Sequence, residues 1–138
     1  VPGQRLGGQL VGGFGATIDW WVKQSFAAEG ADAQDLAAHY PALNAAAAAS
    51  PAGSRGLLFL SLSGPSQIPN ARPGGGFYGL ELLHTRADMS RAVLEGCAFE
   101  VRWALDELRA VDVPVQELWL AGGAGLAAMR RRRAQGGA

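Results

Sequence analysis

Residues 74–95 read GGGFYGLELLHTRADMSRAVLE: a glycine cluster, two aromatics and a charged connector lead into a segment with helical spacing. Thr85-x-x-Asp88 has the form of a capping box, with the Thr85 oxygen available to a first-turn N–H and Asp88 near the positive helix end. Beyond it Met89, Val93, Gly96, Cys97, Phe99, Trp103 and Leu108 recur as one apolar stripe. The pattern predicts a long helix that begins at the cap and ends before Val113-Pro114.

Working outward, residues 63–76 hold three prolines and four glycines and read as a loop. Upstream, residues 56–62 (GLLFLSL) form a continuous apolar run, which predicts a strand buried on both faces. Further back, residues 7–15 hold five glycines around Gln9-Leu10-Val11, a short strand or turn and then a glycine-rich helix entry. A helix is expected over 16–28, because Ile18, Trp21, Val22, Ser25 and Phe26 recur at helical spacing and Gly30 suits a left-handed C-cap. A second helix begins near Asp32. Tyr40-Pro41 interrupts it, and Pro41 suits the first turn of a third, alanine-rich helix ending near Ser50-Pro51. Downstream, residues 117–121 (ELWLA) read as a short strand that runs into Gly122-Gly123-Ala124-Gly125. The order of elements is that of an α/β domain, without an internal repeat.

Composition sets the outer bounds. The chain has 138 residues, of which 49% are hydrophobic and 17% charged, with a formal net charge of zero. That is one globular domain, large enough to bury roughly two thirds of the surface its unfolded chain exposes. A neutral chain has no global pull toward nucleic acid or a lipid surface. No apolar run approaches a membrane span, and no charged-then-apolar leader is seen. A single cysteine, Cys97, forbids an intramolecular disulfide and suits a reducing, cytoplasmic setting. The chain starts at Val1, so a processed product or a piece of a longer protein is expected.

Two glycine clusters bear on chemistry. Gly122-Gly123-Ala124-Gly125 after an apolar strand can bring backbone close to a nucleotide, since glycine removes the Cβ that would clash. Alone it is a weak signal, and a plain strand-to-helix turn is the favoured reading. Gly12-Gly13-Phe14-Gly15 ahead of the first helix has the same two readings.

The opening stretch is more specific. It resembles the second signature of the FGGY carbohydrate kinases: Gly75, Phe77 and Gly79-Leu80, a spacer over 81–87, then Asp88, Met89, Ala92, Val93, Leu94 and Glu95. Residues 15–20 (GATIDW) resemble the family's glycine-started helix, residues 56–64 its buried strand, nearest the xylulokinase branch, and residues 118–124 its adenosine motif. The resemblance covers residues 1 to about 125 in order. It implies a partial ribonuclease-H-like, actin-type ATPase domain over 1–125, followed by an atypical Arg-rich tail over 126–138.

It further implies transfer of the γ-phosphoryl of Mg-ATP to a sugar hydroxyl, with a pentulose such as xylulose as acceptor. ATP and Mg2+ belong to the complete enzyme, whose cleft lies between two domains. Gly15 and Asp19, one turn apart, match the adenine pocket, and Gly122 and Gly123 match the adenosine-motif glycines. Two departures stand out. Ala127 occupies a position where a polar residue is common, and Gly64-Pro65-Ser66 replaces the xylulokinase Gly-Glu-Arg. The catalytic aspartate, sugar pocket and phosphate loop belong to the family's N-terminal domain, so the missing partner is that domain. This chain carries no catalytic residue and no metal ligand, and is expected to be inactive alone.

The remaining distinctive residues have structural readings. His39 and His84 lack metal-spaced partners. Cys97 lies on the apolar stripe as an inert thiol, and Trp20, Trp21, Trp103 and Trp119 are core residues. Glu95 either orients the connector over 74–80 or is structural. Arg130–Arg133 suit phosphate or a solvated tail, and residues 126–138 are expected to be loosely ordered and not to complete the sheet. The function classes open at this point are a sugar-kinase C-terminal domain and a non-catalytic α/β module that binds a nucleotide or a protein.

Overall fold

The computed structural model describes residues 14–30, 32–60, 74–113 and 115. Along them run helix α1 (Phe14–Ser25), helix α2 (Ala33–Ala49), a 3-10 turn (Ser54–Gly56), strand β1 (Leu58–Leu60), strand β2 (Gly76–Tyr78) and helix α3 (Arg86–Ala110). The expectations for residues 1–13, the strand over 117–121, Gly122, Gly123, Ala127 and the tail lie outside the described residues.

Helix α3 begins where its capping box places it. The Thr85 N–H donates to Asp88 Oδ2 at 2.9 Å and the Thr85 hydroxyl reaches the same oxygen at 2.8 Å. Its far end closes in a Schellman motif. The Val113 N–H returns to the Leu108 carbonyl and the Asp112 N–H to the Arg109 carbonyl, each at 3.0 Å. Asp112 adopts the left-handed conformation the motif requires, with φ +58°.

The apolar stripe of α3 is rotated from its expected setting. Ala92, Val93, Gly96, Cys97 and Ala104 are buried, whereas Phe99 and Trp103 are more than half exposed. Small residues make the close approach to the strand, and the large aromatics fall on the flank.

The strand run differs from the sequence expectation too. Gly56 belongs to the 3-10 turn, and β1 alternates: Phe59 is buried while Leu58 and Leu60 face outward. β1 pairs antiparallel with β2 in the register Leu58↔Tyr78, Phe59↔Phe77, Leu60↔Gly76. The two-residue strand period puts Phe59 and Phe77 on the same face, and among the described residues the helices cover that face alone. The glycine-flanked aromatics Phe77-Tyr78, read as connector, are thus half of a two-stranded ladder.

Helix α2 is one helix, not two. Pro41 lies inside it. Proline removes the N–H that would bond the Ala37 carbonyl and crowds that turn, which is why a break was expected. Ala37 and Pro41 lie on the exposed side. Across the proline, Leu36, Leu43 and Ala47 keep one buried stripe, with Tyr40 packed against the core beside them. Packing on both sides of Pro41 holds the axis together.

Helix α1 ends at Ser25, short of the expected boundary. Phe26 and Ala27 both direct their N–H groups to the Val22 carbonyl. Arg86 at the start of α3 donates to the Ser25 carbonyl at 3.0 Å and lies 4.9 Å over the Phe26 ring. A guanidinium therefore closes this helix. Gly30 is left-handed, at φ +83°, but in the following turn and not as the cap.

The core joins Trp21 and Val22 of α1, Leu36 and Leu43 of α2, Leu57 and Phe59 at the strand, and Ala92 and Val93 of α3. Phe59 and Phe77 have ring centroids 5.0 Å apart, and Trp21 meets Phe77 edge-on at 5.5 Å. The Trp21 indole N–H donates to the Ser90 hydroxyl at 3.0 Å, so the buried polar tip is satisfied and α1 is tied to α3.

A polar clasp fixes the approach to β1. Gly53, Ser54, Arg55 and Gly56 all have positive φ, which is unfavourable for the two non-glycine residues. Glu95 accepts the Gly53 N–H at 3.1 Å and the Ser54 hydroxyl at 2.9 Å. Asp88 accepts the Ser50 hydroxyl at 2.7 Å and the Arg55 Nε–H at 3.2 Å. Glu95 therefore orients the turn before β1, not the connector over 74–80. No helix among the described residues is long and apolar enough to cross a membrane.

Candidate nucleotide-facing site

Of the four residues expected to meet a nucleotide, the described structure contains two. Gly15 and Asp19 are four apart on α1 and so share a face. Thr17 and Trp21 point away from that face and are buried, and Val22, two turns on from Gly15, is buried as well; Gly15, in the first turn, stays exposed. A Cβ built on Gly15 would meet nothing within 4 Å. The backbone there is open to a flat ligand, and no acidic residue stands in the first turn to repel an anion.

Asp19 is half-buried, and the Tyr40 hydroxyl of α2 donates to its Oδ1. That bond, burial and the negative charge of Asp19 push the Tyr40 phenol up to about 12, so it stays a donor throughout the neutral range. The sequence does not reveal the Tyr40 contact, because Tyr40-Pro41 has the local form of a helix break. The signal against a break is the spacing 36, 40, 43 and 47, which continues one helical stripe through Pro41.

The other titratable residues fit structural roles. His84 Nδ1 accepts the Glu81 N–H at 2.8 Å within the connector. Cys97 is buried, and burial with the charge of Glu100 pushes its thiol up to about 11, so it remains protonated and unreactive. The described residues include no group of His, Cys, Asp and Glu suited to a metal ion.

Residues 3–131 match the FGGY family of carbohydrate kinases, C-terminal domain. The chain belongs to this family. Its structure is similar to the crystal structure of xylulose kinase from Rhodospirillum rubrum, with a TM-score of 0.66 and 30% sequence identity. The match covers 80% of this chain and 21% of that one, so this FGGY domain spans about a fifth of the kinase's length. None of the curated proteins matches the chain. The fold is accordingly α/β, of the ribonuclease-H-like, actin-type ATPase kind, as the signature over 74–95 led one to expect.

Proposed function

We propose that this chain forms the nucleotide-side wall of a cytoplasmic, ATP-dependent sugar kinase whose acceptor is a pentulose such as xylulose. The observation that carries the reading is the FGGY match across nearly the whole chain; the likeness to a xylulose kinase supports the acceptor class. In such a reaction the sugar hydroxyl oxygen bonds to the γ-phosphorus, the bond to the β-phosphate oxygen breaks and ADP departs. The hydroxyl proton passes to a base.

The residues at the start of α1 fit the nucleoside end of ATP. Gly15 gives an unobstructed backbone and Asp19 an acceptor one turn on. Gly122 and Gly123 complete the wall in this reading. In this reading metal chemistry and the base belong to a partner, the phosphate-binding N-terminal domain of the family. Phosphoryl transfer depends on groups converging from both sides of a cleft. One wall alone binds nucleotide weakly and does not turn over.

The test is titration of the labelled 138-residue chain with ADP, followed through its amide resonances. Shifts centred on residues 14–22 at millimolar nucleotide, lost in Gly15→Val, are expected. An undisturbed spectrum at that concentration would favour the plain structural role of the glycines. Turnover of ATP with D-xylulose by the purified chain would refute the one-wall reading.

A further inference from the structure

We propose that Tyr40 is a positioning residue: it holds Asp19 as a fixed acceptor for a hydrogen-bond donor at the uncharged end of the nucleotide. The inference rests on the nucleotide reading above and deepens it.

The argument starts from the helix pair. α1 and α2 pack together, and both belong to the core, through Trp21 and Val22 on one and Leu36 and Leu43 on the other. Tyr40 is itself packed against that core, so its ring has a fixed seat. From that seat the hydroxyl meets Asp19 Oδ1. An aspartate on a helix surface ordinarily samples several side-chain orientations. A charge-assisted hydrogen bond from a seated phenol selects one of them.

The selected carboxylate has a defined chemical preference. An ionised carboxylate only accepts hydrogen bonds. It repels phosphate oxygens, so it suits the nucleoside end and not the phosphate end. On that end a donor is offered by the exocyclic amino group of adenine or by a ribose hydroxyl. The hypoxanthine base of inosine presents a carbonyl oxygen at the place of the amino group and would face the carboxylate acceptor to acceptor. Gly15, on the same face one turn earlier and unobstructed, leaves room for the ring or sugar to approach. A partner lost from such a contact typically changes affinity by about tenfold.

The experiment compares ADP, IDP and 2′-deoxy-ADP as ligands of the full 138-residue chain and of Tyr40→Phe, by ligand-observed magnetic resonance and competition. The parent chain is expected to bind ADP about tenfold better than one of the two analogues. Loss against IDP assigns the base amino group, and loss against 2′-deoxy-ADP assigns the ribose hydroxyl. Tyr40→Phe keeps the ring in its seat and removes only the donor. Its ADP affinity should fall toward that of the discriminated analogue, with the melting temperature little changed.

Equal weakening for all three ligands would be a packing effect and would overturn the positioning role. If Tyr40→Phe discriminates like the parent chain, the role of Tyr40 is wrong while the nucleotide reading stands. If the parent chain binds none of the three at millimolar concentration, both fall. Should Tyr40→Phe not fold, Asp19→Asn reads the same contact. Its amide can still accept from Tyr40 and would turn an N–H2 donor outward, so discrimination should disappear or reverse. Unchanged selectivity in Asp19→Asn overturns the proposal.

Discussion

Gly96 of α3 lies directly against Phe59 of β1: a Cβ added to Gly96 would stand 2.5 Å from the Phe59 carbonyl oxygen and 3.1 Å from its Cδ1. Backbone cannot rotate away as a side chain can. Gly96→Ala should therefore destabilise the domain by about 2 kcal/mol, despite the better helix propensity of alanine. Urea unfolding checks it. An unchanged or raised midpoint would show that α3 and β1 do not touch at this point.

The C-terminal turn of α3 offers the opposite case. Asp112 holds a left-handed φ of +58° and is exposed. Asp112→Gly removes that strain while the Schellman hydrogen bonds remain. A gain of about 0.5–1 kcal/mol is expected, visible as a small rise in melting temperature. A clear loss would mean that the Asp112 side chain contributes more than its backbone strain costs.

Acid should act through Asp88. Hydrogen bonds from the Thr85 N–H, the Ser50 hydroxyl and the Thr85 hydroxyl, with the nearby Arg55 charge, hold its carboxyl well below the usual carboxylate range. A lowered folded-state value means the stabilisation is complete above the unfolded value, near 4, and is lost as pH falls toward the folded value. Glu95 adds in the same direction. Burial alone would raise it, but bonds from Arg91, the Gly53 N–H and Ser54 outweigh burial. Stability measured from pH 6 downward should decline steeply below about pH 4, and Asp88→Asn should flatten that limb while lowering stability at neutral pH. An identical acid limb in the variant would remove Asp88 from the account.

Leu82 has an accessibility of 106% and so makes no packing contact. With Leu80, Glu81, Leu83, His84 and Met89 it lines an open, mainly apolar concavity beside the start of α3. Leu82→Lys should leave stability within about 0.5 kcal/mol of the parent and reduce self-association seen by light scattering. A fall of several degrees in melting temperature would place Leu82 in a contact of the folded chain.

Local chemistry was the legible part of this sequence. The α3 cap could be read from Thr85 and Asp88 because the motif lies within four residues and its physics is local. The family signature over 74–95 was legible for the same reason. Partners chosen by tertiary packing were not. Glu95 meets Gly53 and Ser54, more than forty residues away. Tyr40 meets Asp19 only once α1 and α2 are docked. The rotation of the α3 stripe depends on which residues β1 lets close, and a helical repeat does not reveal that small residues win the contact over Phe99 and Trp103. At Pro41 a local rule was overridden by a buried face that continues on both sides of it. Gly15 and Asp19 were legible as a pair one turn apart on one helix, whereas the hydrogen bond from Tyr40 to Asp19 was not.

The proline in α2 also divides that helix kinetically. The bond from residue 41 to Ala37 is missing, so the hydrogen-bond ladder is weakest at the boundary between residues 33–40 and the alanine-rich half. Opening can stop there. Residues 33–40 are therefore expected to open ahead of the alanine-rich half, at the cost of the Leu36 and Tyr40 contacts with the core. Tyr40 travels with that segment, so its grip on Asp19 is renewed or lost as the segment closes or opens. Amides of residues 36–40 should exchange with solvent faster than those of residues 45–49, and a nucleotide that engages Asp19 should slow them selectively. The selectivity of the site would then be set by an opening equilibrium in the neighbouring helix as well as by the shape of the surface.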